Sequence, residues 1–146
     1  AELRLKAFLD ATHEAGLSED QIDVRLGMEG PIGGEKNQVY QVATDMLSNP
    51  DRPTALVCGN DEIALQAYLA ALGLGLSIPN DVCIVGYDDF QVVSLALKPE
   101  LTTVALPYYD LGYRGADRLQ RLLSGEPLKS DQLVLPCPLV VRASCG

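Results

Sequence analysis

Two pairs of polar residues stand directly after two apolar runs of the sequence, where such side chains could bind a ligand. Asn60 and Asp61 follow the run TALVCG, and Asp88 and Asp89 follow the run VCIVGY. An amide and a carboxylate at neighbouring strand ends offer donors and acceptors that suit a hydroxyl-rich ligand. The alternative is helix capping, because Asn and Asp are preferred N-cap residues and a helical pattern follows each pair. Spacing alone favours capping, but each pair has two polar residues, so both roles are compatible.

The residue sets that are typical of enzymes are absent from the sequence. It has no G-x-S-x-G elbow, no phosphate-binding loop, and no cysteine and histidine cluster at metal-ligand spacing. The segment GLGLSI follows a helical pattern rather than a strand, which excludes a dinucleotide fingerprint. The single histidine, His13, stands in the last turn of a helical pattern, where a surface role is expected. We therefore predict no catalytic residue, no metal and no cofactor, and a protein that is not an enzyme.

Composition limits the classes of partner. The chain has 146 residues, and its net charge of -9 argues against a surface that neutralises nucleic-acid phosphates. No stretch approaches the roughly 20 apolar residues of a membrane span, so no membrane partner is predicted. The four cysteines show no paired spacing, and reduced thiols in a cytoplasmic protein are expected.

Strand and helix patterns alternate along the chain. Helices are predicted from the N-terminus to Gly16 and over residues 38–47, 61–72, 91–97 and 108–124. Strands are predicted over residues 21–28, 52–59, 81–87, 100–107 and 131–142, the last at an edge because of its prolines. The continuous apolar runs are typical of strands buried on both faces of a parallel sheet. This order predicts an α/β fold with a three-layer, mostly parallel sheet flanked by helices. Because ligands bind outside the carboxyl ends of such strands, Asn60 and Asp88 would stand at one sheet edge.

Three stretches, in order, carry a resemblance to a known family. They are PTALVCGNDEIALQAYLAALGLGLSIPNDVCIVGYDDF, KPELTTVALPYYDLGYRGADRLQRLLSGEP and LVLPCPLVVRASCG. They resemble the C-terminal part of the lactose/galactose-repressor family of transcriptional regulators, and the resemblance covers nearly the whole chain. It implies one lobe of a periplasmic-binding-protein-like fold, with a small polar, sugar-like effector bound in a cleft between two lobes.

The resemblance also implies which residues contact the effector. Arg4 of RLKAF corresponds to the arginine that opens the family's helix motif, with Ala7 where glycine is usual. With Asn60 and Asp88 it would hydrogen-bond the effector, since a guanidinium and a carboxylate can together hold a sugar's vicinal hydroxyls. From the residues alone, Arg4 is a surface helix residue. Many relatives have a stacking aromatic residue near the position of Gly34, which implies an unusual effector, a replaced contact or a lost response.

A division of the chain follows from the same resemblance. Residues 1–104 would form the second lobe, residues 105–131 would belong to the first lobe, and residues 132–146 would return to the second. The DNA-binding headpiece and most of the first lobe are expected to be missing, and DNA would be contacted only through that headpiece. The helix in residues 105–131 would then lack its native cover, so we expect the chain to self-associate.

The family's dimer surface implies a homodimer or higher homo-oligomer. The residues expected to contribute are Leu65, Val92, Leu95 and Ala96, and a buried position within the lobe is the alternative for Leu65. A rival class is a transport-type periplasmic sugar-binding protein. The stretch LTTVALPYYDLGYRGADRLQRLL resembles repressors more than carriers. An enzyme on a flavodoxin-like sheet has the least support.

Overall fold

A sheet with helices packed against it is the architecture that the alternating pattern requires, and the computed structural model has it. The structure describes residues 2–26, 28–29, 36–128, 130 and 132–145. Its helices are α1 (Glu2–Glu14), α2 (Val39–Leu47), α3 (Asp61–Gly73), α4 (Gln91–Ser94) and α5 (Tyr108–Leu123), with a 3-10 turn at Glu19–Gln21. Its strands are β1 (Met28–Glu29), β2 (Lys36–Asn37), β3 (Ala55–Val57), β4 (Cys83–Asp88), β5 (Thr102–Ala105) and β6 (Leu139–Val140).

Four of these strands form the central sheet, in the order β3-β4-β5-β6. The pairs β3–β4 and β4–β5 are parallel, and β6 adds an antiparallel edge to β5. The predicted α/β fold with a mostly parallel sheet flanked by helices is confirmed, and so is the edge position of the last strand. Because β3 and β4 run in the same direction, the residues that follow them lie at the same end of the sheet.

The core lies between α3, α2 and one face of the sheet. Four alanines of α3 are almost completely buried and allow the helix to approach its neighbours closely: Ala64, Ala67, Ala70 and Ala71. Tyr68, on the same helix, is also buried and donates a hydrogen bond of 2.9 Å to the backbone carbonyl of Pro99. Ile84 of β4 and Leu101, next to β5, complete the centre of the core.

The strand predicted over residues 21–28 is wrong. Gln21 ends the 3-10 turn, residues 22–26 form no strand, and Met28–Glu29 pairs only with Lys36–Asn37 in a separate ribbon. Apolar alternation cannot by itself make a strand, since a strand needs a neighbour to complete its hydrogen bonds. Gly34 and the rest of the segment 30–35 lie outside the described residues.

The predicted burial of β3 on both faces is also wrong. Ala55 and Val57 are exposed, Val57 to 61%, and only Leu56 packs against the core. Ala55 and Val57 are two positions apart and share one face of β3, and that face has little cover among the described residues. The apolar run predicted the strand correctly, but it did not predict how many of the strand's two faces are covered by other elements.

The first and last helices, α1 and α5, are loosely packed. α1 has no buried residue and ends before Gly16, whose φ of +83° needs a residue without a Cβ. α5 also has no buried residue, and the rings of Tyr109 and Tyr113 stack on its surface with centroids 6.2 Å apart. Within the described residues, no helix combines the length and the apolar character needed to cross a bilayer.

Candidate functional site

Arg4 reaches the end of the sheet at which β3 and β4 finish. Its guanidinium donates a hydrogen bond to the backbone carbonyl of Gly59, the residue before Asn60. It also stacks over the ring of Tyr87, with the guanidinium carbon 4.5 Å from the ring centroid, and Tyr87 precedes Asp88. A cation over an aromatic face contributes roughly 0.5–1 kcal/mol at an exposed site. Two contacts therefore hold one side chain of α1 against both strand ends.

Asn60 is the N-cap of α3. Its backbone is extended, and its side-chain oxygen accepts a hydrogen bond of 2.8 Å from the backbone N–H of Ile63. The capping interpretation of this residue is confirmed. No hydrogen bond engages its amide nitrogen within the residues that the structure describes, so a donor remains at the strand end.

The cap can be separated from any other role of Asn60 by two substitutions. Asn60→Ala is expected to lower the free energy of unfolding by about 1 kcal/mol, because the N–H of Ile63 loses its acceptor. Asn60→Asp keeps an acceptor and should remain within about 0.5 kcal/mol of the unaltered chain. Urea unfolding followed by circular dichroism measures both. Equal losses in the two variants would contradict the cap.

Asp61 is fully buried and connects three elements. One carboxylate oxygen accepts a hydrogen bond of 2.8 Å from the backbone N–H of Phe90, before α4, and the other accepts one of 2.7 Å from the hydroxyl of Thr103 on β5. Gly86 leaves room for this carboxylate, because a Cβ there would lie 2.1 Å from it. Asp61 thus serves the structure, a role that its place in the ND pair did not reveal.

The second residue of the other pair, Asp89, is also engaged inside the protein. Its carboxylate accepts hydrogen bonds of 2.9 Å from the hydroxyl of Ser94 and of 2.9 Å from the guanidinium of Arg142. Arg142 donates a further bond of 2.8 Å to the carbonyl of Leu101. The prediction that an acidic residue of this pair caps α4 is wrong, because the N-cap is Phe90 and no side chain caps that helix. The sequence carried no local signal for Arg142, which lies far along the chain.

Asp88 remains as the less engaged carboxylate of its pair. It is half-buried and accepts one hydrogen bond of 3.2 Å from the backbone N–H of Phe90. Burial, and next the negative charge of Asp61, raise the pKa of Asp88 above its ordinary range, although the Phe90 N–H opposes them. Its ionised form is therefore held at some cost to the folded state, and a ligand that donates hydrogen bonds would offset that cost.

The arrangement suits binding rather than bond-making. Arg4, Asn60 and Asp88 bring a cation, an amide and a carboxylate to one end of two neighbouring strands. Burial, and then the charge of Asp61, raise the pKa of the nearby Cys58 to about 12, so its thiol is a poor nucleophile. No group of histidine, cysteine and acidic residues among the described residues could hold a metal ion.

A groove of about 710 Å³ lies elsewhere on the described part of the chain. It is lined by residues 20–21 and 23–26, by one side of α2, and by residues 51–54, which precede β3. None of Arg4, Asn60 and Asp88 lines it. Charged side chains, among them Asp23 and Arg25, line this groove as well. We place the candidate site at the carboxyl ends of the strands, because ligands bind outside that end of an open parallel sheet.

An apolar surface extends over α3 and α4. Val92 is 73% exposed and Leu95 41% exposed, Ala96 is exposed, and Leu65 is half-buried on the neighbouring helix. Two further leucines of α3, Leu69 and Leu72, lie exposed at helical spacing from Leu65. Val92, Leu95, Ala96 and Leu65 are the residues predicted from the resemblance to form a dimer interface, and that role stays a prediction.

Comparison with known proteins identifies the class to which this fold and this polar edge belong. Residues 1–145 match the family model of the periplasmic binding protein-like domain. The chain is 33% identical over 144 residues to the ribose operon repressor of Escherichia coli (strain K12), a match that covers 99% of this chain and 42% of that protein. It is 29% identical over 141 residues to the repressor CytR of the same strain, covering 97% of this chain and 40% of the relative.

Solved structures agree with these relatives. A LacI-family transcriptional regulator from Rhizobium etli superposes with a TM-score of 0.92 at 56% identity, over 99% of this chain and 52% of that one. The Lac repressor dimer bound to operator and an anti-inducer superposes with a TM-score of 0.67 at 37% identity, over 74% of this chain and 37% of that one. The chain belongs to the periplasmic binding protein-like family, among the lactose/galactose-repressor regulators. It spans less than half the length of the curated relatives, which are repressors rather than enzymes or transport proteins.

Proposed function

We propose that this chain is the effector-sensing and dimerisation part of a DNA-binding transcriptional regulator, and that it binds a small polar, sugar-like ligand in a cleft between two lobes. The observation that carries the proposal is the position of Arg4, whose guanidinium contacts Gly59 and Tyr87 beside Asn60 and Asp88. A guanidinium, an amide and a carboxylate at one sheet edge are the groups that hydrogen-bond vicinal hydroxyls. The protein acts as a non-enzymatic sensor in the cytoplasm.

The three ligand-binding side chains have separate roles in this proposal. Arg4 donates with the N–H groups that Gly59 does not use, and Asn60 donates through its amide nitrogen while its oxygen caps α3. Asp88 accepts hydrogen bonds from two ligand hydroxyls. Asp61 and Asp89 are already satisfied within the protein and do not contact the ligand.

The rest of the cleft comes from a first lobe. We assign residues 1–104 and 132–146 to the second lobe and residues 105–131 to the first. The support is that α5 buries no residue in the described chain, although its exposed apolar side chains need a cover: Tyr108, Leu111, Leu119 and Leu122. The relatives, which are more than twice as long, have room for that lobe and for a DNA-binding headpiece.

Regulation would work by linkage. An effector that bridges two lobes stabilises one relative orientation of them, and that orientation sets the spacing of two headpieces on an operator. Whether the effector relieves or promotes repression depends on which orientation it binds more tightly.

The proposal is tested by calorimetry on the complete two-lobe protein. The panel contains D-ribose, because one relative is a ribose operon repressor, together with other pentoses, hexoses, nucleosides and nucleobases. Binding of one member, lost in Arg4→Met and in Asp88→Asn, supports the site. Binding that is unaffected by both substitutions would remove these residues from the site.

Dimerisation is proposed at the surface that consists of Leu65, Val92, Leu95 and Ala96. Val92→Asp places a charge on this surface and is expected to weaken the dimer at least about tenfold, since an unpaired interfacial charge is costly. Val134→Asp is the matched control, because Val134 is 87% exposed and lies outside the surface. Sedimentation velocity of the two-lobe protein, in which α5 is covered, measures the change. A dimer that tolerates Val92→Asp as well as it tolerates Val134→Asp would exclude this surface.

A further inference from the structure

The turn that carries Asp88 has an unusual backbone. Asp88 has a φ of 110° and Asp89 a φ of 52°, and they are the only non-glycine residues with positive φ in the described part of the chain. A positive φ is unfavourable for a residue with a Cβ and persists only where its surroundings hold it. Since Asp88 is the proposed acceptor, what holds this turn also sets the direction of the ligand-binding carboxylate.

Asp61 and Thr103 hold the turn by accepting hydrogen bonds from its backbone. The N–H of Phe90 donates to Asp61 at 2.8 Å, and the N–H of Asp89 donates to the hydroxyl of Thr103 at 3.4 Å. The Thr103 hydroxyl itself donates a hydrogen bond of 2.7 Å to the carboxylate of Asp61. One fully buried carboxylate therefore accepts, directly or through Thr103, from two successive N–H groups of the turn.

Arg142 holds the turn through the carboxylate of Asp89. It follows β6 and joins Asp89 to the carbonyl of Leu101 through hydrogen bonds of 2.9 Å and 2.8 Å. Its backbone is itself bonded to Thr102 of β5, whose hydroxyl accepts the Arg142 N–H at 2.8 Å and donates to its carbonyl at 3.0 Å. The segment that follows β6 is thus attached, through Arg142, both to the sheet and to the Asp88–Asp89 turn.

We propose that Asp61 and Arg142 are positioning residues for effector recognition, which act through Asp88 by clamping the Asp88–Asp89 turn. The inference rests on the proposed function of Asp88. In each polar pair, one residue contacts the effector and the other supports it. Asn60 and Asp88 face the effector, and Asp61 and Asp89 make the internal hydrogen bonds that fix the orientation of these two side chains. The clamp also connects the site to Arg142, in the segment that follows β6.

Electrostatics supports the link between Asp61 and Asp88. The charge of Asp61 is the second cause, after burial, that raises the pKa of Asp88. The titratable and charged groups around the turn belong to several elements: Arg4, Asp61, Glu62, Asp89, Tyr108 and Arg142. Asp61 is the one among them that also bonds the turn's backbone.

The test uses the two-lobe protein labelled with ¹³C at its aspartates, and it needs no ligand. Asp61→Asn is expected to lower the pKa of Asp88 part of the way to its ordinary value and to change the N–H to Hα couplings of Asp88 and Asp89. Thr103→Val removes a bond but keeps the Asp61 charge, so the pKa of Asp88 should stay raised while the Asp89 coupling changes. Arg142→Met should change the same coupling. An unchanged Asp88 pKa and unchanged couplings in all variants would overturn the inference, and if Asp61→Asn does not fold, the other two variants decide it.

Binding provides a second readout, with D-ribose as the probe. We expect Asp61→Asn and Arg142→Met to weaken D-ribose binding at least about tenfold, although neither residue touches the sugar. Loss of binding in Asp88→Asn but unaltered binding in both positioning variants would overturn the inference and leave the proposed function intact. Failure of the unaltered protein to bind D-ribose would count against that sugar as effector, while the titration and couplings still decide the role of Asp61.

Discussion

Gly86→Ala is expected to destabilise the lobe by about 2–4 kcal/mol, because the added methyl group has no room. Its Cβ would lie 2.1 Å from a carboxylate oxygen of Asp61 and 2.8 Å from a methyl carbon of Leu101. Asp61 cannot move away without giving up its bonds to Phe90 and Thr103. The substitution therefore strains the core and loosens the Asp88–Asp89 turn together. Urea unfolding measures the loss.

Gly112→Ala is the matched control for Gly86→Ala. A Cβ on Gly112 meets no atom within 4 Å, and the residue lies inside α5. Alanine is a better helix former than glycine by about 0.8–1.0 kcal/mol, so this variant should be as stable as the unaltered chain or more so. A Gly86→Ala protein that unfolds within about 0.5 kcal/mol of the unaltered one would show that the Asp61 network can shift at little cost.

Asp88→Asn is expected to weaken effector binding at least about tenfold without destabilising the fold. Asparagine replaces one of the two acceptor oxygens by an NH2 group, so one ligand hydroxyl loses a charged acceptor. That loss costs about 1.5–3 kcal/mol, and 1.4 kcal/mol is tenfold in affinity. The free energy of unfolding should be unchanged or slightly higher, because the substitution removes a charge that burial and Asp61 disfavour. Asparagine also tolerates the positive φ of this position. Lower affinity with undiminished stability marks a residue kept for binding.

The pH dependence of stability gives this prediction a second measurement. The pKa of Asp88 is raised in the folded state from an ordinary value of 3.8, so the folded state binds the proton more tightly than the unfolded one. The stability of the unaltered protein relative to Asp88→Asn should therefore fall as pH rises from about 4 through the raised pKa. Asp45→Asn, on the exposed face of α2, is the matched control for the removal of one carboxylate. A relative stability that rises over this range would contradict the raised pKa.

Local chemistry was sufficient for the order of the five helices and of the strands β3 to β6, and for one half of the candidate site. The helix of residues 61–72 was predicted to within one residue of α3, because its periodic alanines and leucines, its asparagine cap and its terminal glycine act over a few positions. The resemblance added Arg4, which the residues alone would have left on the surface. Its contacts with Gly59 and Tyr87 place it at the predicted edge of the sheet.

The tertiary structure decided what each polar residue does there. Asp61 and Thr103 are 42 positions apart and Asp89 and Arg142 are 53 apart, so no local pattern could pair them. Local pattern also could not decide whether residues 21–28 form a strand or how deeply β3 is buried, since the hydrogen bonding and burial of a strand depend on its neighbours in space. The sequence by itself determined which groups stand at the strand ends. Only the packed sheet decided that Asp61 and Asp89 are hydrogen-bonded inside the protein, whereas Asp88 keeps one bond of 3.2 Å from the N–H of Phe90. The physical reason is that a buried carboxylate is stable only where donors from distant parts of the chain converge on it.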